Sequence, residues 1–225
     1  NTLAGKTAGV VTATATTGNT ASFSALNTAS TDVITININD NPSVSALNTI
    51  AGKTAGVVTA TLASTAAADL ASLSTAATDV ITIPVSDTIS VSALNTLAGK
   101  TAGVVTATAT TGDTASFSSL ATDSNDVITI NINDNPSVSA LNTIAGKTAG
   151  VVTATLASTA KADLVALSTA STDVITVPVS DTVSVTELNT IAGKTGGPVT
   201  ATVTTGNTAS FSALATDSND IITIN

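Results

Sequence analysis

The chain has 225 residues, 6 Lys+Arg against 15 Asp+Glu for a net charge of −9, and no Cys, His, Met, Trp or Tyr. Without Cys or His there is no Ser-His-Asp or Cys-His nucleophile system, no zinc finger, no haem or iron–sulfur ligation and no disulfide framework. The acidic balance argues against a nucleic-acid backbone or an anionic lipid surface as partner, while 43% hydrophobic residues and a mean hydropathy of +0.45 are too apolar for disorder and imply a buried core.

In chain order, the opening Asn1-Thr2-Leu3-Ala4-Gly5-Lys6-Thr7 ends in Ala4-Gly5-Lys6-Thr7, which imitates the end of a phosphate-binding loop. The first Gly of such a loop is replaced by Leu47, Leu94, Leu141 or Leu188 in the later copies, so a Gly helix stop with a Lys near the negative helix end is the reading adopted. Val11-Thr12-Ala13 then alternates apolar, Thr, apolar, which is strand periodicity. Phe23 and Leu26, three apart, mark a short helical turn. Ile34-Thr35-Ile36 forms the next strand and closes on Asn37, Asn39, Asp40 and Asn41. Val44, Leu47 and Ile50 predict a second helix, with Ser, Thr or Asp as its upstream cap and Gly52 as its stop.

The opening segment returns at Asn48, Asn95, Asn142 and Asn189, a period of 47 residues that divides the chain into 1–47, 48–94, 95–141, 142–188 and a partial 189–225. Inside each period the strand pattern recurs after 23 or 24 residues. One column reads Val11, Ile34, Val58, Ile81, Val105, Ile128, Val152, Ile175, Val199 and Ile222, and Thr follows in every copy. Units too small to bury their own apolar face must stack. The expected fold is therefore one α/β solenoid over 1–225, a parallel sheet with one short helix per coil. Each column is expected to stack on itself, with Ala and Ile alternating in the next inward position so that small and large side chains interlock. An all-β right-handed β-helix and tandem immunoglobulin-like or cadherin-like sandwiches are the competing architectures. The sandwich has in its favour that Ile36-Asn37-Ile38-Asn39-Asp40-Asn41-Pro42 looks like a cadherin calcium linker. Pro84 and Pro178 are expected to end regular pairing near Ile83 and Val177, because Pro removes a ladder donor.

Val85-Ser86-Asp87-Thr88 followed by Val91-Ser92-Ala93-Leu94 resembles the strand/short-helix repeats found in tandem in very large secreted bacterial surface proteins, cyanobacterial ones among them. The resemblance implies an extracellular or cell-surface structural role, as part of a filament, surface layer or giant adhesin, with no enzymatic activity attached. No apolar run approaches the roughly 18–20 residues of a membrane span, and no signal segment opens the sequence at Asn1. The lack of an initiator Met leads us to expect an interior piece of a longer chain.

Candidate sites are few. Asp40, Asn41, Asp134 and Asn135 offer hard oxygen ligands suited to calcium, although turn-forming Asx residues account for the same pattern. Thr12-x-Thr14, Thr59-x-Thr61 and their later copies resemble the hydroxyl arrays of ice-binding solenoids, but the alternate coils carry Asn37, Pro84, Asn131 or Pro178 at the second position. Lys6, Lys53, Lys100, Lys147 and Lys194 alternate by coil with Asp32, Asp79, Asp126, Asp173 and Asp220, which predicts a ladder of exposed opposite charges. Lys161 and Glu187 depart from the repeat and read as isolated surface substitutions. No catalytic residue is proposed. The expected function is that of a spacer or scaffold whose uncapped sheet edges pair with further copies end to end, with an ice-binding solenoid or a ligand-binding adhesin as the other readings.

Overall fold

A computed structural model describes residues 1–204, 206 and 208–224. The fold is an α/β repeat of ten parallel strands alternating with short helices, solenoid-like, as the 23/24-residue rhythm predicts. It divides into two compact units, Asn1–Thr108 and Ala109–Asn225. Unit 1 runs through a 3-10 turn at Ala4–Lys6, then β1 (Thr12–Thr14), α1 (Thr20–Ser24), β2 (Val33–Asn37), α2 (Val44–Ala51), β3 (Val58–Thr61), α3 (Ala67–Leu70), β4 (Val80–Ile89), α4 (Val91–Ala98) and β5 (Val105–Ala109), the last crossing into unit 2 by one residue. Unit 2 continues with α5 (Thr114–Ser118), β6 (Val127–Asn131), α6 (Val138–Ala145), β7 (Val152–Thr155), α7 (Lys161–Leu164), β8 (Val174–Val183), α8 (Val185–Ala192), β9 (Val199–Val203), α9 (Thr208–Phe211) and β10 (Ile221–Ile224). Parallel strands with helical crossovers exclude both the all-β helix and the antiparallel sandwich.

The longer helices begin and end where the caps predict. Ser43, Ser90, Ser137 and Ser184 each accept a hydrogen bond on the side-chain oxygen from the N–H three residues on. Gly52, Gly99, Gly146 and Gly193 close the same helices with right-handed backbone angles, φ −66° to −69°. The apolar edge of each helix lies against the inward strand residues. Leu47, Ile50, Leu94, Ile36, Ile81 and Ile83 are all within 2% of complete burial. Burying a side chain of this size contributes about 1.5–3 kcal/mol.

Strand register corrects one expectation. Sequence-equivalent residues do not stack on themselves, because each strand is set two residues along from its neighbour. Ala13 stands opposite Ile34, Ile36 opposite Val58, Ala60 opposite Ile81, and in unit 2 Ala154 stands opposite Ile175 and Ala201 opposite Ile222. A stagger of two preserves which residues face inward, whereas a shift of one would reverse every side chain. It also places each small Ala directly beside a large Ile, so the interlock of sizes runs along the ladder itself.

The two prolines correct another. β4 and β8 do not end at Ile83 and Val177 but continue to Ile89 and Val183. In a parallel ladder a residue directs both its backbone groups to the same neighbour. Pro84 faces the side of β3, whose pairing ends at Thr61↔Thr82, so no donor is missed. Its carbonyl still accepts from Thr65 N–H at 3.1 Å, and Pro178 does the same for Thr159 at 3.0 Å. Beyond Pro178 the register against β9 shifts before pairing resumes at Thr182↔Thr202.

Aromatic placement has a local cause. Phe23 and Phe117 are buried, and a Cβ on Gly18 or Gly112 would lie 3.3 or 3.4 Å from the ring. In the intervening units the same two positions are Leu70 with Thr65 and Leu164 with Thr159. Phe with Gly and Leu with Thr fill comparable space.

Candidate functional site

The polar side chains concentrate at the junctions between coils. The Lys-Thr pair that follows each long helix is the centre of the junction. The Thr54 hydroxyl, buried, accepts from the N–H of Ile34 and of Gly56, both at 2.8 Å, and donates its one proton toward the carbonyls of Ile34 (2.8 Å) and Asp32 (3.0 Å). Thr101, Thr148 and Thr195 repeat the arrangement on Ile81, Ile128 and Ile175. Two residues on, Gly56 passes so close to the preceding strand that a Cβ would lie 2.5 Å from the backbone of Ile34. Gly103, Gly150 and Gly197 make the same approach to Ile81, Ile128 and Ile175.

The Asp that precedes alternate strands works from the other direction. Asp32 is 4% exposed, and its Oδ1 accepts from Val11 N–H at 2.8 Å while Oδ2 accepts from Ala29 N–H at 2.9 Å. Asp79 and Asp173 hold Val58 and Val152 in the same way. The Asp32 carbonyl accepts from Ala55 N–H at 2.7 Å, so this one residue ties the coil before it to the coil after it.

The expected ladder of exposed charges is therefore not formed. These Asp carboxylates are turned inward to satisfy backbone N–H groups, which they must do because a buried donor without a partner is costly. The lysines go to carbonyls instead. Lys53 Nζ donates to Leu26 O at 2.6 Å, and Lys100, Lys147 and Lys194 donate to Leu73, Leu120 and Leu167. Because this Lys-Thr pair closes a helix and is engaged with the backbone, it holds no helix N-terminus toward a phosphate.

Asn48 completes the junction. Its Nδ2 donates to Ser72 O and its Oδ1 accepts from Ser74 N–H, at 2.8 and 2.7 Å. Asn142 and Asn189 clamp Ala166/Ser168 and Ala213/Ala215 alike. The signal that could have revealed all four roles was present, since Asn, Lys, Thr and Gly are invariant in spacing from unit to unit; what was missing was the partner, which lies about 20–27 residues away.

The calcium candidates are placed as follows. Asp40 Oδ1 accepts from Thr20 N–H at 2.8 Å and from its hydroxyl at 2.6 Å, capping α1 in the preceding coil. The Thr20 hydroxyl, and then its N–H, hold the Asp40 carboxyl below its ordinary value of 3.8. Asp134 repeats the contact on Thr114. Asn41 and Asn135 donate their amide nitrogens to Thr61 O and Thr155 O. Asp87 and Asp181 serve Ala67 and Lys161 in the same role, without Asn neighbours. Among the described residues no three Asp or Glu gather at a point.

On the outward sheet face the two-residue stagger decides what the Thr residues form. Thr14 stands opposite Thr35 and Thr61 opposite Thr82, but the row from Asn37 passes to Thr59 and then to Val80, which is 41% exposed. Rows of hydroxyls are therefore short. Lys161 and Glu187, read as unrelated substitutions, are brought together: Nζ and Oε1 are 3.2 Å apart, and Glu187 also accepts from Ser184 N–H to complete a capping box. That N–H first, then the Ser184 hydroxyl and Lys161, hold the Glu187 carboxyl low. Open grooves recur between long and short helices, at Ser43, Ser45 and Asp69 and again at Ser137, Ser139 and Asp163.

Fold and junctions together define an α/β tandem-repeat protein in which each polar column serves the coil beside it. No protein-family model matches the chain, and no curated protein or solved structure matches it. Among the described residues no helix is long and apolar enough to cross a membrane.

Proposed function

We propose that the chain is a structural spacer or scaffold, a repeat segment of an extracellular filament, surface layer or giant adhesin. The observation that carries this reading is the use of the recurring polar side chains. Asn48, Lys53, Thr54 and Asp79 and their copies bind neighbouring coils, and where one of them borders an open groove, as Asn142 does, its amide is already engaged with Ala166 and Ser168. A protein whose repeated chemistry is spent on joining one coil to the next is suited to reach and coverage. Lack of Cys and low charge suit an exposed, chemically inert surface.

Immunogold labelling of intact source cells tests the reading. Antibodies raised against the 225-residue chain should decorate extended structures outside the cell. Label confined to the cell interior would refute it.

A further inference from the structure

Two kinds of junction alternate along the sheet, and only one of them responds to acid. Between β2 and β3 the Thr54 hydroxyl serves Ile34, the Lys53 ammonium reaches the Leu26 carbonyl, and the Thr28 hydroxyl donates to the Lys53 carbonyl. Thr101 joins β4 to β5, Thr148 joins β6 to β7 and Thr195 joins β8 to β9 in the same way. These bonds run between hydroxyl, ammonium, amide and carbonyl groups, none of which changes charge as pH falls.

Between β3 and β4 carboxylates take that place. Asp79, 4% exposed, accepts from Val58 N–H across the junction and from Ala76 N–H in its own turn, both at 2.8 Å. Asp87 accepts from Ala67 N–H, and the Asn48 clamp crosses here too. Asp32 and Asp40 join β1 to β2, Asp173 and Asp181 join β7 to β8, and Asp220 joins β9 to β10.

No cation is paired with these buried carboxylates. Lys53 ahead of β3 and Lys100 ahead of β5 flank Asp79, but their ammonium groups go to the Leu26 and Leu73 carbonyls. The other charges on the surrounding elements, Asp69 on α3 and Asp87 on β4, are acidic and exposed. Around Asp173, Lys147 and Lys194 go to Leu120 and Leu167, Asp163 and Asp181 are exposed, and Lys161 and Glu187 pair with each other. A protonated Asp79 retains one oxygen that can accept, while the other carries a proton toward an N–H. Val58 or Ala76 then loses its acceptor in a buried place, and the bond that remains is no longer charge-assisted.

We infer that the carboxylate junctions are acid-labile joints: as pH falls the sheet opens first between β3 and β4 and between β7 and β8, leaving pairs of coils locked by Thr and Lys. The joints rest on these bonds alone and hold whether or not the chain is a spacer.

Amide hydrogen exchange of the 225-residue chain, at residue resolution and corrected for the intrinsic effect of pH, is the test. Between neutral pH and about pH 3, below the ordinary aspartate value, protection at Val58 and Val152 is expected to fall about tenfold or more, while Ile81 and Ile175, bonded to Thr101 and Thr195, keep theirs. In Asp79→Asn, which has no charge to lose, the acid response at Val58 should shrink while that at Val152 remains. Equal loss at Val58 and Ile81, or earlier loss at Ile81, would mean that acid unfolds the chain as a whole and would overturn the joints. Protection at Val58 that survives the lower pH, or an acid response there undiminished in Asp79→Asn, would overturn them as well.

Discussion

Gly56 and Ile34 approach so closely that a Cβ on the glycine would lie 2.5 Å from the carbonyl carbon and oxygen of the isoleucine. Among the described residues no glycine has a positive φ, so the requirement is one of space between coils. It recurs at alternate junctions, where Gly103 meets Ile81, Gly150 meets Ile128 and Gly197 meets Ile175.

Gly103→Ala is therefore expected to destabilise unit 1, because backbone of Ile81 at 2.5–2.7 Å cannot move aside as a flexible side chain would. Overpacking of this kind costs about 1–3 kcal/mol. Gly99→Ala, four residues earlier, places its Cβ 3.5 Å from Asn95 O in right-handed backbone and should be neutral or stabilising by up to about 1 kcal/mol. Urea unfolding of the two variants separates them; equal midpoints would show that the close approach relaxes freely.

Thr101→Val keeps the shape of the side chain and removes its oxygen. The N–H groups of Ile81 and Gly103 then lose their acceptor in a buried place. Each unsatisfied group costs about 1–3 kcal/mol, so a loss well above that of an exposed Thr→Val, such as Thr35→Val, is expected in chemical denaturation. Thr101→Ser, which retains the hydroxyl, should recover most of it.

The sheet, the coil length and the helix caps were legible in the sequence because each rests on local information. Alternation at Val58-Thr59-Ala60, the three-residue spacing of Leu47 and Ile50, and Ser43 ahead of them each specify geometry within a single coil. The junctions were not legible, since a polar residue's partner lies one coil away and the pairing depends on a stagger that periodicity does not contain. Aligning Val11 with Ile34 identifies equivalent residues, yet Ala13 is the residue that faces Ile34. The same gap made Asp32 look like a surface charge. Its column is regular, and regularity alone does not distinguish an exposed ladder from a buried carboxylate that serves Val11 and Ala29.

Asp79→Asn tests that distinction. The substitution preserves size and one acceptor but turns an N–H₂ group toward either Val58 N–H or Ala76 N–H, two donors face to face. A cost of about 1–3 kcal/mol is expected for the donor left buried. Asp87→Asn, at an exposed position where one carboxylate oxygen serves Ala67 N–H, should cost less, because amide oxygen can take over that bond. A larger effect at Asp87 than at Asp79, read from thermal melting at neutral pH, would contradict the buried role.

Acid should weaken the helix starts. Asp40 is lowered by the Thr20 hydroxyl, Asp113 by Ser116 and Glu187 by Ser184 N–H, from ordinary values of 3.8, 3.8 and 4.5. A carboxylate whose folded value is depressed contributes its stability above the unfolded value and loses it as pH falls through the folded one. Stability should be flat across neutral pH and decline below about 4.5, and Asp113→Asn should flatten the part of that decline it carries; denaturant midpoints measured in steps of pH provide the check.

The pairing of Phe with Gly and Leu with Thr predicts coupling between positions five residues apart. Gly112→Thr should clash with the Phe117 ring, which a Cβ alone would already meet at 3.4 Å, and Phe117→Leu should leave a gap beside Gly112. Overpacking at Gly112 costs about 1–3 kcal/mol, and the core volume lost at Phe117 is also destabilising, so each single variant is expected to lose stability. The double variant reproduces the Thr159 and Leu164 combination already present one unit along. It should therefore be more stable than the sum of the singles by about 1 kcal/mol or more, within the range of coupling between touching residues. Additive losses in a double-mutant cycle would mean that the two solutions are not interchangeable and that the alternation of units has another cause than side-chain volume.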